Sequence, residues 1–229
     1  MVIEEPKSGI ILINGDSVVV TDELIKKFGE GFADAIITDP PYGCRLPGQK
    51  QFNSEIPAFD GEQMFDMTWK CAKSNAPVLM FSEADCMARL VSVGLQDFKY
   101  FYAINSLKSR GHLNCGRRPM LRNILVAVFY KHPPIYNPQL DSELSGTHIP
   151  TDMLTIIPTG RREIYPHERN VKLLEFFVKT YTNEGDVVFD FCMGAGSLAE
   201  ACFNTNRKFI GIELIEDTYN KSVKRISEL

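Results

Sequence analysis

Along the chain, short apolar runs alternate with stretches in which apolar residues recur three and four positions apart. That is the alternation of buried strands and amphipathic helices that builds a mainly parallel sheet with helices on both faces. The apolar runs predict strands near Ile10–Ile13, Ala35–Thr38, Pro77–Phe81, Tyr100–Ile104, Ile124–Phe129, Val187–Phe189 and Phe209–Ile212. Helical spacing predicts helices over Asp22–Phe28, Gln63–Ala72, Ala84–Val93, Val171–Tyr181 and Asp217–Ser227, and one more starting near Ser197. Three stretches break the rhythm with Gly, Pro, Asn and charge: Gly43–Asp60, Ser106–Arg122 and His132–Pro166. Irregular insertions of that length in a compact domain usually carry function.

A chain of 229 residues is long enough for one sizeable core, so the expectation is a single α/β domain, residues 1–229, with insertions at 106–122 and 132–166. Hydrophobic content of 44% and charged content of 24% are ordinary for a globular protein, so the class must come from pattern. The six cysteines form no C-x-x-C pair, which argues against a zinc ribbon or a redox motif, and no metal is expected. Met1–Lys7 carries Glu4 and Glu5 and does not resemble a secretory leader; the longest strongly apolar run, Ile124–Tyr130, is too short to span a bilayer. A cytoplasmic protein without membrane contact is the expectation.

The chemistry begins at Val187–Asp190, a strand ending in a carboxylate, followed by Phe191-Cys192-Met193-Gly194-Ala195-Gly196 and a helix from Ser197. Glycines there allow a sharp turn and close approach of a ligand to a helix N-terminus. Taken singly, the segment is as readily an ordinary strand–turn–helix. The second strand, Phe209–Glu213, ends in an acid that can accept hydrogen bonds from both hydroxyls of a ribose, at the separation usual in nucleoside-binding α/β folds. After Glu213 the chain has room for one helix. The remaining strands of a nucleoside crevice must therefore come from the start of the chain, through Ile10–Leu12 leading to Asp16 and Ala35–Thr38 leading to Asp39. A circularly permuted, Rossmann-like doubly wound sheet of about seven strands follows, with Asp16 over the adenine end of a bound nucleoside.

Thr38-Asp39-Pro40-Pro41-Tyr42-Gly43 follows a buried strand directly, at the carboxyl edge where open α/β sheets bind ligands. An aromatic exocyclic amine is a poor nucleophile because its lone pair is delocalised into the ring. The Asp39 carboxylate and the Pro40 carbonyl can both accept hydrogen bonds from such an NH2 group, localising that lone pair, and the two prolines hold both acceptors in place beforehand. Tyr42 offers a face on which an extruded base can stack. A rigid Pro-Pro turn closing a strand is the plainer reading of D-P-P-Y alone; its place after the strand and its partner motif weigh against that.

With D-P-P-Y at Asp39–Tyr42 preceding Asp190-Phe191-Cys192-Met193-Gly194-Ala195-Gly196-Ser197 and Gly211-Ile212-Glu213, the chain resembles the beta group of amino DNA methyltransferases, over most of its length from Ile11 to Ile226. That family reads D-P-F-x-G-S-G-T at the glycine turn and G-I-E at the second strand. The resemblance implies S-adenosyl-L-methionine as cofactor, surrounded by Asp16, Asp39, His167, Asp190, Phe191, Gly194, Gly196, Ser197 and Glu213. It implies Asp39, Pro40, Pro41 and Tyr42 as the residues that handle the base, and DNA adenine N6 methylation, as in restriction–modification, as the activity. The chain departs from the family at Cys192, where the family has Phe, and at Tyr165–Asn170, where it has H-P-T-Q-K-P. His167 is placed against the cofactor's methionine end, with helix capping as the alternative role of that stretch.

A net charge of -4 gives no global attraction to a polyanion. Distribution changes that picture. Between Phe98 and Leu140 there is no Asp or Glu, while Lys99, Lys108, Arg110, Arg117, Arg118, Arg122 and Lys131 are present. Lys108, Arg110, Arg117, Arg118 and Arg122 are the expected phosphate contacts, Ser106–Arg122 the expected recognition loop, and Arg161, Arg162 and Arg169 an extension of the track. Any one of these arginines, taken alone, reads as a solvated surface charge. Three alternatives stay open: cytosine N4 methylation, whose enzymes more often carry Ser where this chain has Asp39; an RNA or protein amide methyltransferase, more often with Asn there; and a degenerate DNA-binding or partner subunit. The small recognition segment is compatible with a short site or a homodimer.

Overall fold

The computed structural model describes residues 1–41, 61–82, 84–98, 100–112, 121–139, 153–155 and 168–229. In chain order its elements are β1 (Val2–Lys7), β2 (Ile10–Asn14), α1 (Ser17–Phe28), β3 (Ala35–Thr38), α2 (Gly61–Cys71), β4 (Val78–Ser82), α3 (Ala84–Asp97), β5 (Tyr100–His112), β6 (Leu121–Tyr130), β7 (Met153–Thr155), α4 (Val171–Tyr181), β8 (Val187–Asp190), α5 (Ser197–Asn204), β9 (Lys208–Glu213) and α6 (Glu216–Ser227). Among these residues nine strands form one sheet, in the order β1-β2-β9-β8-β3-β4-β6-β5-β7. The five from β2 to β4 are parallel; β6 runs antiparallel between β4 and β5.

Period-two alternation divides the core into two apolar layers, one on each face of the sheet. Ile37, Leu79, Phe81, Val188 and Phe209 belong to one layer, with Leu173, Phe177, Leu198 and Tyr219 of α4, α5 and α6. Their strand neighbours Ile36, Val78, Met80, Phe189 and Ile210 belong to the other, with Val20, Leu24, Phe65 and Cys71 of α1 and α2. All four residues of β3 are buried, as expected of a strand covered on both faces.

The doubly wound, permuted α/β sheet expected from the sequence is the one found. The seven expected strands are present and two more flank them. β1 extends the sheet by pairing antiparallel with β2, and β7 pairs with β5 over Asn105–Leu107. Helix α1 begins at Ser17, well before the expected Asp22, because the Asp16 carboxylate accepts hydrogen bonds from the Val18 and Val19 amides at 2.9 and 3.4 Å and caps it. The insertion expected at 106–122 is in part a hairpin extension: 106–112 continue β5 and 121–122 open β6, while 113–120 lie outside the described residues. The start of the second insertion is tied down at Asn137, whose amide donates to Thr180 O at 2.7 Å and whose side chain donates to Thr182 O at 3.1 Å. Among the described residues no helix is long and apolar enough to cross a membrane.

Candidate active site

The five parallel strands end on one edge at Asn14, Glu213, Asp190, Thr38 and Ser82. The connection from β8 runs through α5 on one face of the sheet, and that from β3 through α2 on the other. The strand order therefore reverses between β8 and β3, and an open α/β sheet binds its ligand in the crevice at that reversal. A cavity lies there, lined by Thr38 and Asp39 from β3, by Asp190, Met193, Gly194 and Ser197 around the turn after β8, and by Phe81, Glu168 and Arg169.

The turn after β8 is held from both sides. Asp190 is 5% exposed. Its Oδ1 accepts from the Thr38 hydroxyl at 2.8 Å and from the Cys192 amide at 2.9 Å. Its carboxyl is raised to about 7, mainly by burial and further by nearby Asp39 and Glu213, against the two hydrogen bonds, which hold it down. Glu213 accepts from the Gly194 amide at 3.0 Å and the Ile215 amide at 2.8 Å. Its carboxyl is raised by burial and held down by the Ile215, Gly194 and Leu214 amides. Gly194 sits at φ +55°, and a β-carbon added there would meet nothing within 4 Å. Gly196, at φ +78°, caps α5 without a side-chain hydrogen bond, so the amides of that helix's first turn face the cavity end.

Across the crevice, Asp39 is 29% exposed and forms a 2.6 Å ion pair from Oδ2 to Arg169 Nη2, whose side chain is 15% exposed. The Arg169 guanidinium also lies 5.0 Å from the centre of the Phe81 ring. Pro40 is buried and Pro41 half-buried beside them. Behind the glycine turn, Arg225 of α6 joins three segments: Nε to Glu200 at 2.8 Å, Nη1 to the Ala195 carbonyl at 3.0 Å, and both terminal nitrogens to Glu168 at 3.1 Å. Arg225 and Glu200 are each 3% exposed. One fork thus fixes the turn against α5 and against the residue two positions before Asn170, which caps α4 through the Lys172 amide at 2.9 Å.

Of the residues expected at the site, Asp39, Asp190, Gly194 and Ser197 line one cavity, and Glu213 and Gly196 brace it. Phe191 packs in the core, 6.2 Å from the Phe189 ring, and Asp16 serves as the α1 cap. Tyr42, His167, Arg117, Arg118, Arg161 and Arg162 lie outside the described residues, as do the side chains of Lys108, Arg110 and Arg122. Two further cations, one from the basic stretch and one from its expected extension, have partners among the described residues. Lys131 lies 3.8 Å from the centre of the Trp69 ring and donates to Trp69 O at 2.7 Å, at the end of α2, and Arg169 faces Asp39. Thr38, Glu168, Arg169 and Arg225 were not singled out for the site by sequence reasoning. A signal existed for Arg169: a cation just before a helix N-terminus opposes the helix dipole and needs another reason to be there.

Comparison with known proteins agrees with the fold. A family model described as DNA methylase matches residues 139–224. The type II methyltransferase M.HpaI of Haemophilus parainfluenzae is 23% identical over 231 residues, spanning 88% of this chain and 70% of its own. Among solved structures, the complex of M1.HpyAVI with S-adenosylmethionine superposes with a TM-score of 0.69 at 21% identity, covering 93% of this chain and 98% of that one. The cytosine-N4-specific PvuII DNA methyltransferase superposes at 0.66 with 17% identity, covering 95% and 89%. The fold is the one these methyltransferases share.

Proposed function

We propose that this chain transfers the methyl group of S-adenosyl-L-methionine to the exocyclic N6 amine of adenine in DNA. The observation that carries the reading is that Asp39, at the end of β3, and the glycine turn after β8 line the same cavity. The resemblance of both motifs to the amino DNA methyltransferases, the DNA methylase match over residues 139–224 and the shared fold support it.

The residues present suit the cofactor. Gly194 leaves open space where any other residue would project a β-carbon, the first turn of α5 presents amides, and Asp190 and Glu213 stand at the ends of β8 and β9 as hydrogen-bond acceptors. Gly194, Ser197, Asp190 and Glu213 would hold it, and when bound it supplies an electrophilic methyl group. The rest falls to the chain. Asp39 and the Pro40 carbonyl accept hydrogen bonds from the amine and free its lone pair for attack. As the nitrogen–methyl bond forms and the sulfur–methyl bond breaks, the nitrogen becomes cationic, and Asp39 stabilises that charge and helps its proton leave to solvent. Tyr42 stacks on the extruded base, and Lys108, Arg110, Arg117, Arg118 and Arg122 meet the phosphates.

Cytosine N4 is the second reading, favoured by the likeness to the cytosine-N4-specific PvuII enzyme. The test is to incubate the protein with methyl-labelled cofactor and unmethylated DNA and digest the product to nucleosides. Label is expected in N6-methyladenine. Label in N4-methylcytosine moves the reading to the second base, and label in no nucleoside overturns it.

A further inference from the structure

Arg169 stands where helix electrostatics disfavour it. It precedes Asn170, the N-cap of α4, at the positive end of that helix, and gains nothing from the helix there. Its guanidinium is instead committed to the cavity: 2.6 Å from Asp39 Oδ2, within cation–π range of Phe81 on β4, and largely removed from solvent. Phe81 is 1% exposed and therefore gives the guanidinium a fixed surface to rest on. The backbone is held as firmly on both sides. Glu168 is tied to Arg225, and Asn170 is tied to the Lys172 amide. Arg169 thus reaches Asp39 from a short segment anchored at each neighbour.

We infer that Arg169 is a positioning residue for the Asp39 carboxylate, setting the plane of that group against the target amine. The inference rests on the amine-methylation reading above. A carboxylate has two oxygens and about four acceptor positions, so an ion pair at Oδ2 leaves capacity for an amine. That carboxylate stands just past the end of β3, 29% exposed and facing the cavity. Holding it in one orientation before the base arrives is what makes an acceptor effective in the transition state, since misplacement on the order of 1 Å can cost about a hundredfold in rate. Arg suits this better than Lys: its planar fork fixes a carboxylate's orientation, while an ammonium fixes only a distance.

The test compares wild type, Arg169→Met and Arg169→Lys. Affinity for S-adenosylhomocysteine is measured by calorimetry, and kcat and KM for DNA by methyl transfer at saturating cofactor. Arg169→Met is expected to lower kcat by about ten- to a hundredfold while leaving S-adenosylhomocysteine affinity and the KM for DNA within about threefold, and Arg169→Lys to recover part of the loss. Unchanged kcat in Arg169→Met overturns the inference. So does a loss confined to the KM for DNA, which would make Arg169 a phosphate contact, or one confined to S-adenosylhomocysteine affinity, which would make it a cofactor ligand. If Arg169→Met does not fold, Arg169→Lys decides: wild-type kcat at saturation of both substrates overturns the inference, and a reduced one supports it. Should wild type methylate no DNA at all, the functional reading fails before this one is reached.

Discussion

The hydroxyl of Thr38 donates to Oδ1 of Asp190 at 2.8 Å, joining the ends of two adjacent parallel strands whose residues lie 152 positions apart in sequence. This bond stitches the segment that leads into Asp39 to the segment that leads into the glycine turn, and both of its partners are buried. Thr38→Val keeps the shape and removes the donor. It should cost about 1–3 kcal/mol, because the buried acceptor keeps the Cys192 amide but loses its hydroxyl donor. Urea denaturation of the two proteins measures it, and S-adenosylhomocysteine affinity should fall with it.

Asp190 also sets a pH dependence. Its folded carboxyl lies at about 7, pushed up mainly by burial, against an unfolded value near the ordinary 3.8. Between those values the folded state holds a proton that the unfolded state has released. The stability this group contributes is therefore fully present below about pH 4 and is lost as pH rises toward 7, with a slope of at most about 1.4 kcal/mol per pH unit. Glu213, also raised by burial, acts in the same direction. Asp190→Asn should flatten this component. Melting temperatures of wild type and variant from pH 4.5 to 7.5 check it, and equal slopes would contradict it.

The two glycines of the turn should fail differently when replaced by alanine. At Gly196 the new β-carbon would lie 3.0 Å from Ser222 Cβ as well as adopting φ +78°, so Gly196→Ala should destabilise the fold by about 1–3 kcal/mol. At Gly194, φ is +55° and the space is open. Gly194→Ala should cost only the roughly 1 kcal/mol of the left-handed backbone, yet weaken S-adenosylhomocysteine binding severely because its methyl enters the cavity. Calorimetry and urea titration on both variants separate the two effects.

Arg225 is the largest single electrostatic commitment behind the site. Arg225→Met removes a buried counter-charge from Glu200, which is 3% exposed, and should cost about 3–5 kcal/mol. Adding Glu200→Gln should return part of that loss, since a neutral amide is cheaper to bury than a carboxylate. A double-mutant cycle by denaturant unfolding gives the coupling, and strict additivity would show that the pair does not act as one unit.

What could be read in advance followed from burial. β3, β8 and β9 are covered on both faces, so each shows as an unbroken apolar run with a carboxylate at or just beyond its end, and that placed both halves of the cavity. β1 was hidden because Val2–Lys7 lies at the sheet edge, exposed at Glu4 and Glu5 as at Val2 and Ile3, so it shows no alternation. β7 is three residues inside a Gly- and Pro-rich stretch. Val18, Val19 and Val20 disguised the first turn of α1, where the Asp16 cap outweighs β-branched propensity. Arg225 was illegible for another reason, and for Arg169 the helix terminus signalled that a partner was needed but not which one. A charge's partner is set by tertiary contact, and Glu200, Glu168 and Asp39 come from three separate segments of the chain.

In the proposed function the glycine turn binds the methyl donor while Asp39 acts on the acceptor. The most direct measurement is a single-turnover methyl transfer to DNA by wild type and Asp39→Ala, paired with calorimetric S-adenosylhomocysteine affinity for each. Transfer is expected to fall by about a thousandfold or more in Asp39→Ala, with affinity changed less than about threefold. Transfer at close to the wild-type rate in Asp39→Ala would contradict it.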